Sequence, residues 1–117
     1  MRAWRHTLFR VVRGWVVLLL LLPAQVLAED LPTFRLEMND GVLSPTKLLV
    51  PAKKRFKLII VNRGKSPAEF ESLQLRKEKV LAPGVESFIV FQSLSAGEYK
   101  FFDEFHARTA QGVMVAQ

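Results

Sequence analysis

In this 117-residue chain the side chains best able to do chemistry are Asp103-Glu104-Phe105-His106, near the C-terminus, and an upstream pair, Glu69 and Glu71. Carboxylate oxygens with one imidazole suit a hard or borderline cation such as Fe(III), Cu(II) or Zn(II). Other chemistries find less to work with. There is no cysteine, so thiolate nucleophiles and thiolate ligands are excluded. A serine triad would depend on His106 as its base, and no nucleophile–base–orienter set can be assembled from the spacing. No glycine-rich loop opens a helix, which leaves phosphate cradling unsupported. The plain readings stand beside these. Glu69 and Glu71 flank Phe70 as in any half-exposed strand, and Asp103 to His106 reads equally as a polar loop. Met38 shares a strand face with Phe34 and Leu36, where core packing is the default and a thioether ligand for Cu(I) is the functional reading. Glu78, between Lys77 and Lys79, reads as a solvated loop charge.

The N-terminal 28 residues read as an address rather than as fold. Arg2, Arg5, Arg10 and Arg13 form a basic region before the apolar run Trp15–Leu22. That run suits a secretory signal and is short of the roughly 20 residues that span a bilayer. Pro23 breaks it, and Val26-Leu27-Ala28 predicts cleavage after Ala28. Residues 1–28 are thus expected to be a signal peptide and 29–117 one domain of an exported protein. Without the four leader arginines, the 17 Lys+Arg of the chain fall to 13 against 11 Asp+Glu. The basic excess that suggests nucleic-acid binding then largely disappears. Both tryptophans and one histidine leave too, so the remaining 89 residues keep His106 alone and no disulfide.

The elements that must position these groups are short strands. Thr33 to Met38 alternates with period two, and Asn39-Asp40-Gly41 supplies turn residues that tolerate positive φ. Leu48 to Val50 ends at Pro51, and Phe56 to Val61 is a nearly continuous apolar run. Asn62 to Pro67 is a loop by composition. Ala68 to Leu73 reads as a strand, Leu75 to Lys79 as a polar connection, and Val85 to Phe91 and Glu98 to Phe105 as strands. Val113 to Ala116 closes the set. Turn signals about every ten residues, with no helical period, predict an all-β sandwich or barrel. The basic run Lys53-Lys54-Arg55 with Lys57 sits at a turn and reads first as a solvated, edge-protecting cluster, with a partner-binding patch as the alternative.

Val50-Pro51-Ala52-Lys53, Ile60-Val61-Asn62, Ala82-Pro83-Gly84 and Gly97-Glu98-Tyr99-Lys100-Phe101-Phe102 fall in the order and spacing of a cupredoxin, and the chain resembles that family over nearly all of residues 32–117. The likeness implies a Greek-key β-sandwich with a metal site at one pole. Pro67-Ala68-Glu69-Phe70-Glu71-Ser72 with Phe101-Phe102-Asp103-Glu104-Phe105-His106 is similar to the periplasmic cupredoxin-like proteins of bacterial iron-uptake systems. These accompany a high-affinity iron permease; the same segments also resemble the cupredoxin domain of imelysin-type ferrous iron transport proteins. The resemblance places Glu69 at the first histidine position of blue-copper members, Asp103 at the cysteine and His106 at the second histidine; Met38 and Met114 are the available methionines. Blue-copper electron transfer needs a thiolate and two imidazoles, which the exported part lacks. What the resemblance implies is therefore a periplasmic protein binding a copper or iron ion through Glu69, Asp103 and His106, with Glu71, Glu104 and Met38 as further ligands. It would assist iron oxidation or delivery to an inner-membrane iron permease, with a companion periplasmic iron- or copper-binding protein, and would be at most an accessory in ferrous iron oxidation. No nucleic-acid partner is implied. The competing reading is a metal-free periplasmic β-sandwich acting as a protein-interaction module.

Overall fold

The computed structural model describes residues 14–18 and 31–117; most of the predicted signal peptide, and its cleavage site, lie outside the described residues. Among the described residues there are nine strands and one 3-10 turn: β1 (Thr33–Asn39), β2 (Val42–Ser44), β3 (Lys47–Val50), β4 (Phe56–Asn62), β5 (Ala68–Ser72), β6 (Lys77–Leu81), β7 (Glu86–Phe91), β8 (Gly97–Asp103), η1 (Glu104–His106) and β9 (Gln111–Ala116). One sheet has the order β2-β1-β4-β7 and the other β3-β9-β8-β5-β6. The pairs β1–β4 and β3–β9 are parallel and the rest antiparallel. Parallel neighbours need crossovers from one sheet to the other, and these give the two-layer sandwich expected from the strand spacing.

The period-two alternation decides which side chains go inside. Leu36 and Met38 of β1, Leu58 and Ile60 of β4, Ile89 and Phe91 of β7 and Phe70 of β5 are all buried in one core with Phe101 and Met114. Phe56 stacks on Phe91 with ring centroids 4.9 Å apart and meets Phe34 edge-on at 5.8 Å, while Phe70 lies on Phe101 at 5.5 Å. Each aromatic pair of this kind adds about 1 kcal/mol beyond its area burial. The ring of Phe101 also crosses β9 at Gly112, where a Cβ would stand 2.5 Å from it. That glycine therefore sets how closely β8 and β9 pack.

Two strands depart from the sequence reading. The β2 strand pairs with β1 through a two-residue turn at Asp40-Gly41, where both residues have positive φ. The polar connection expected over Leu75–Lys79 is in fact mostly β6, an edge strand paired with β5. Lys77, Lys79 and Leu81 face the same side as Ser72, Phe70 and Ala68. Lysines whose stems cover apolar surface hide the alternation, and their charges also protect an edge.

One end of the sandwich gathers the C-terminal ends of β1, β4 and β8 with the start of β5. Buried Asn62 ties it together. Its Nδ2 donates to the Ser66 carbonyl at 2.9 Å and to the Leu81 carbonyl at 3.0 Å, and its Oδ1 accepts from the Gly64 N–H at 2.9 Å. Both amide N–H groups and the oxygen are thus engaged, two of the three bonds holding the β4–β5 loop and the third tying it to the end of β6.

Candidate functional site

Asp103 ends β8 and caps η1, with its side chain only 1% exposed. Its Oδ1 accepts from the Glu69 N–H at 3.0 Å and the Phe105 N–H at 3.1 Å, and its Oδ2 lies 2.8 Å from Nδ1 of His106. The other imidazole nitrogen, Nε2, is 3.3 Å from Ser66 Oγ. Ser66 Oγ in turn lies 2.6 Å from Oδ1 of Asp40, which also accepts the backbone N–H groups of Lys65 and Ser66. The hydroxyl of Ser66, and then the N–H groups of Lys65 and Ser66, hold the Asp40 carboxyl below its ordinary pKa; His106 adds a smaller effect. Gly64 makes this approach possible, since a Cβ there would sit 2.5 Å from Asp40 Oδ1. A continuous chain of polar contacts, Asp103–His106–Ser66–Asp40, thus laces β8, η1, the β4–β5 loop and the β1–β2 turn.

A nucleophile–base–orienter set does therefore exist in Ser66, His106 and Asp103, although the spacing gave no sign of it. It is not built for acyl transfer. The 2.6 Å contact commits the Ser66 hydroxyl to Asp40. The nearby backbone donors of Lys65, Ser66, Glu69 and Phe105 are all spent on carboxylates. An oxyanion formed at Ser66 would face Asp40 without donors to stabilise it.

On the outer face of the second sheet the chemistry is different. Glu69 and Glu71 of β5 are half-buried, whereas Ala68 and Phe70 between and beside them point inward. Glu71 stands directly opposite Glu78 of β6, and Glu69 opposite Val80. One carboxylate oxygen from each of Glu69, Glu71 and Glu78 can be chosen so that all lie within 4.8 Å of one another. Glu104 joins them from η1. Burial raises the pKa of Glu69, followed by the charges of Glu78, Glu104 and Asp103. For Glu71 burial again comes first, then the charge of Glu104 and a hydrogen bond with it, then Glu69 and Glu78. Among the described residues none of these four carboxylates has a Lys, Arg or His partner within ion-pair distance.

The six residues expected at one metal site are thus divided. Asp103 and His106 bond to each other at the inner pole. Glu69, Glu71 and Glu104 gather on the outer face with Glu78, which the sequence reading had treated as a solvated loop charge. Met38 packs in the core at 1% exposure. Glu69 cannot converge with Asp103 because neighbouring strand positions point to opposite faces, and Glu69 lies out where Ala68 lies in. Glu78 was missed for want of β6; once that strand is drawn, the register brings it opposite Glu71.

A family model described as the cupredoxin-like domain matches residues 11–116. The chain belongs to the cupredoxin-like domain family. A relative, the uncharacterized protein RP394 of Rickettsia prowazekii (strain Madrid E), is 33% identical over 87 residues, covering 74% of this chain and 70% of its own. Solved structures share the fold at low identity. Dithionite-reduced auracyanin from Roseiflexus castenholzii superposes with a TM-score of 0.63 at 14% identity, over 73% of this chain and 96% of that one. Auracyanin B gives 0.64 at 12% identity, over 74% and 88%. A purple cupredoxin from Nitrosopumilus maritimus gives 0.53 at 16% identity, over 71% and 98%. A copper centre of the thiolate type does not fit this member of the family. It has no cysteine, and both oxygens of Asp103 are already taken by N–H groups and by His106.

Proposed function

We propose that this is an exported, thiolate-free cupredoxin-like module that binds a metal cation on its outer glutamate face and serves iron handling at the cell envelope. The observation that carries the reading is the set Glu69, Glu71 and Glu78, whose carboxylate oxygens approach within 4.8 Å with no ion-pair partner among the described residues. Like charges directly opposite on paired strands are unfavourable, and a cation bound between them removes that cost. An all-oxygen set suits a hard ion, and of the two metals that the family resemblance offers it favours Fe(III) over copper. Glu104 adds a fourth oxygen donor from η1. By preferring Fe(III) to Fe(II), such a site would favour electron loss from ferrous iron. Delivery to an iron permease, with a separate protein as electron acceptor, follows from the resemblance of Pro67–Ser72 and Phe101–His106 to the proteins of those systems.

Isothermal titration of the domain with Fe(III) chelated by citrate, and separately with Cu(II), tests this. Stoichiometric Fe(III) binding that is lost in Glu71→Ala and Glu78→Ala but kept in Asp103→Asn supports the outer face. Binding lost in Asp103→Asn and kept in the glutamate variants would move the site to the inner pole. Absence of binding would favour the second reading, a protein-interaction module. One feature speaks for that reading: Phe105, half exposed, borders an open depression of about 310 Å³ together with Ser66, Pro67 and His106.

A further inference from the structure

We propose that the free edge of β7 is a dimerisation surface, on which β7 of a second copy pairs antiparallel and carries the first sheet across a two-fold axis. Among the described residues the two sheets end in the edge strands β2, β7, β3 and β6. Three of these are blunted. The β2 strand is three residues long and stops before Pro45, β3 is four residues long, opens on Lys47 and stops before Pro51, and β6 opens on Lys77-Glu78-Lys79. Short length, prolines and charges are the usual protection of an open edge. The β7 strand, Glu86-Ser87-Phe88-Ile89-Val90-Phe91, has six residues, no proline and a single charge at its first position.

Register decides which backbone groups of β7 are free. Asn62 N–H donates to the Val85 carbonyl at 2.9 Å, so these two residues face each other through hydrogen bonds. By the alternation of an antiparallel ladder, Ile60–Ser87, Leu58–Ile89 and Phe56–Phe91 do the same. Lys57 fits this pattern, since its N–H turns the other way and donates to the Pro32 carbonyl at 2.9 Å. The N–H and C=O groups of Glu86, Phe88 and Val90 therefore point away from β4. No second strand pairs with β7, and among the described residues no backbone hydrogen bond from a loop reaches these three. Their side chains lie on the outer face, because Ile89 and Phe91 are buried, and Phe88 is 51% exposed there.

Charge complementarity selects a second copy as the occupant, because β7 complements itself. Antiparallel pairing centred on Phe88 sets the two Phe88 rings opposite each other and Glu86 opposite Val90 of the second copy, with no like charges opposed. Within each copy Val90 lies opposite Lys57 of β4. Glu86 thus enters the same row as Lys57 of the second copy, one strand further on. This face already bridges such a span: Arg35 of β1 reaches over β4 to Glu86, Nη1 to Oε1 at 3.4 Å. That contact leaves Oε2 of Glu86 without a partner among the described residues. Lys57 forms no ion pair there either, and its Nζ lies 4.4 Å over the Phe88 ring, at the centre of the contact. Each copy uses the same edge, so the association closes at two. The inference does not depend on the metal reading above.

Residues 29–117 contain every core residue, from Leu36 to Ala116, and therefore suffice for the test. Sedimentation velocity is measured over a concentration series in EDTA, so that a cation shared between glutamate faces cannot join two copies. A monomer–dimer equilibrium is expected. Phe88→Lys, whose side chain points outward, should weaken it by roughly tenfold or more, since two lysines would then meet at the centre of the pair. Lys57→Glu alone should also weaken it, by facing Glu86 of the second copy, and Lys57→Glu/Glu86→Lys should recover most of the loss. Far-UV circular dichroism checks that each variant is folded, and the charge exchange keeps the test open if Phe88→Lys is not. A monomer at every concentration would overturn the proposal and leave the edge to a strand of another protein. A dimer indifferent to all three variants, or growth beyond two copies, would overturn it as well.

Discussion

Two sets of acidic side chains lie within a few residues of each other in this fold, and they have opposite characters. At the inner pole Asp103 is enclosed and both its oxygens are used, by two backbone N–H groups and by His106. On the outer face Glu69, Glu71, Glu78 and Glu104 crowd together, and among the described residues none of them forms an ion pair. A satisfied polar network holds a fold in one conformation, while an unsatisfied one is stabilised by whatever supplies the missing charge. This contrast is why we propose an architectural part for the inner pole and a ligand for the outer face, where the family resemblance had joined Glu69, Asp103 and His106 in one site.

Substitution at Asp103 should break this comparison most sharply. Asp103→Ala strands two buried N–H groups and the His106 ring, and urea denaturation should show a loss of about 3–5 kcal/mol. Asp103→Asn retains an acceptor for the two N–H groups and should lose much less. If both variants were equally stable to wild type, the inner pole would not be structural.

On the outer face the largest effect is expected in cation affinity. Glu71→Ala or Glu78→Ala should weaken binding roughly tenfold or more by isothermal titration, as loss of even an indirect partner to a metal commonly does. Neither change should destabilise the cation-free domain, because each removes a repulsion. A clear fall in thermal midpoint without metal would contradict that account.

Dependence on pH sharpens the contrast further. Glu69 and Glu71 titrate above their ordinary range in the fold, so between the unfolded and folded values the native state holds more protons. Stability of the cation-free domain should fall as pH rises through that interval, and rise again as pH drops, levelling off once both states are protonated. Asp40 has the opposite sign: its lowered pKa gives stability present above the ordinary carboxylate value and lost as pH falls through the native one. Thermal melts of Glu71→Gln should lose its share of the first component, leaving that of Glu69, and those of Asp40→Asn should lose the second. Bound cation should suppress the first only, since protons and metal compete for the same oxygens.

The smallest expected effect lies on the inner face of β5. Ser72 Oγ is buried with no hydrogen-bond partner, so Ser72→Ala should raise stability by about 1 kcal/mol in urea. A loss would mean that the hydroxyl has a partner, such as a buried water.

Much of the sandwich was legible because the apolar strands carry their period openly. Phe34, Leu36 and Met38 alternate as buried residues must, and Asp40-Gly41 and Pro83-Gly84 mark turns by residue type. The edge strand β6 was not legible, because Lys77-Glu78-Lys79 shows no hydrophobic alternation when lysine stems do the covering. Losing β6 also hid Glu78, and with it the third member of the glutamate cluster. Asn62 was a loop residue by composition and part of the Ile60-Val61-Asn62 segment by resemblance, and nothing in its neighbours says that it ends β4 or that its amide will close three backbone contacts. Ser66 and Asp40 come 25 or more residues before their partners or after them in the chain, so no local pattern could join them.

By itself the sequence determined the kinds of chemistry open to this protein. A chain without cysteine cannot build a thiolate centre, and alternating strands with frequent turns must bury themselves face to face, because apolar surface leaves water wherever the backbone allows it. Only the tertiary structure decided which acids meet. Strand register sets each side chain to one face or the other, and that register put Glu69 with Glu71 and Glu78 on the outside while it turned Asp103 inward to His106.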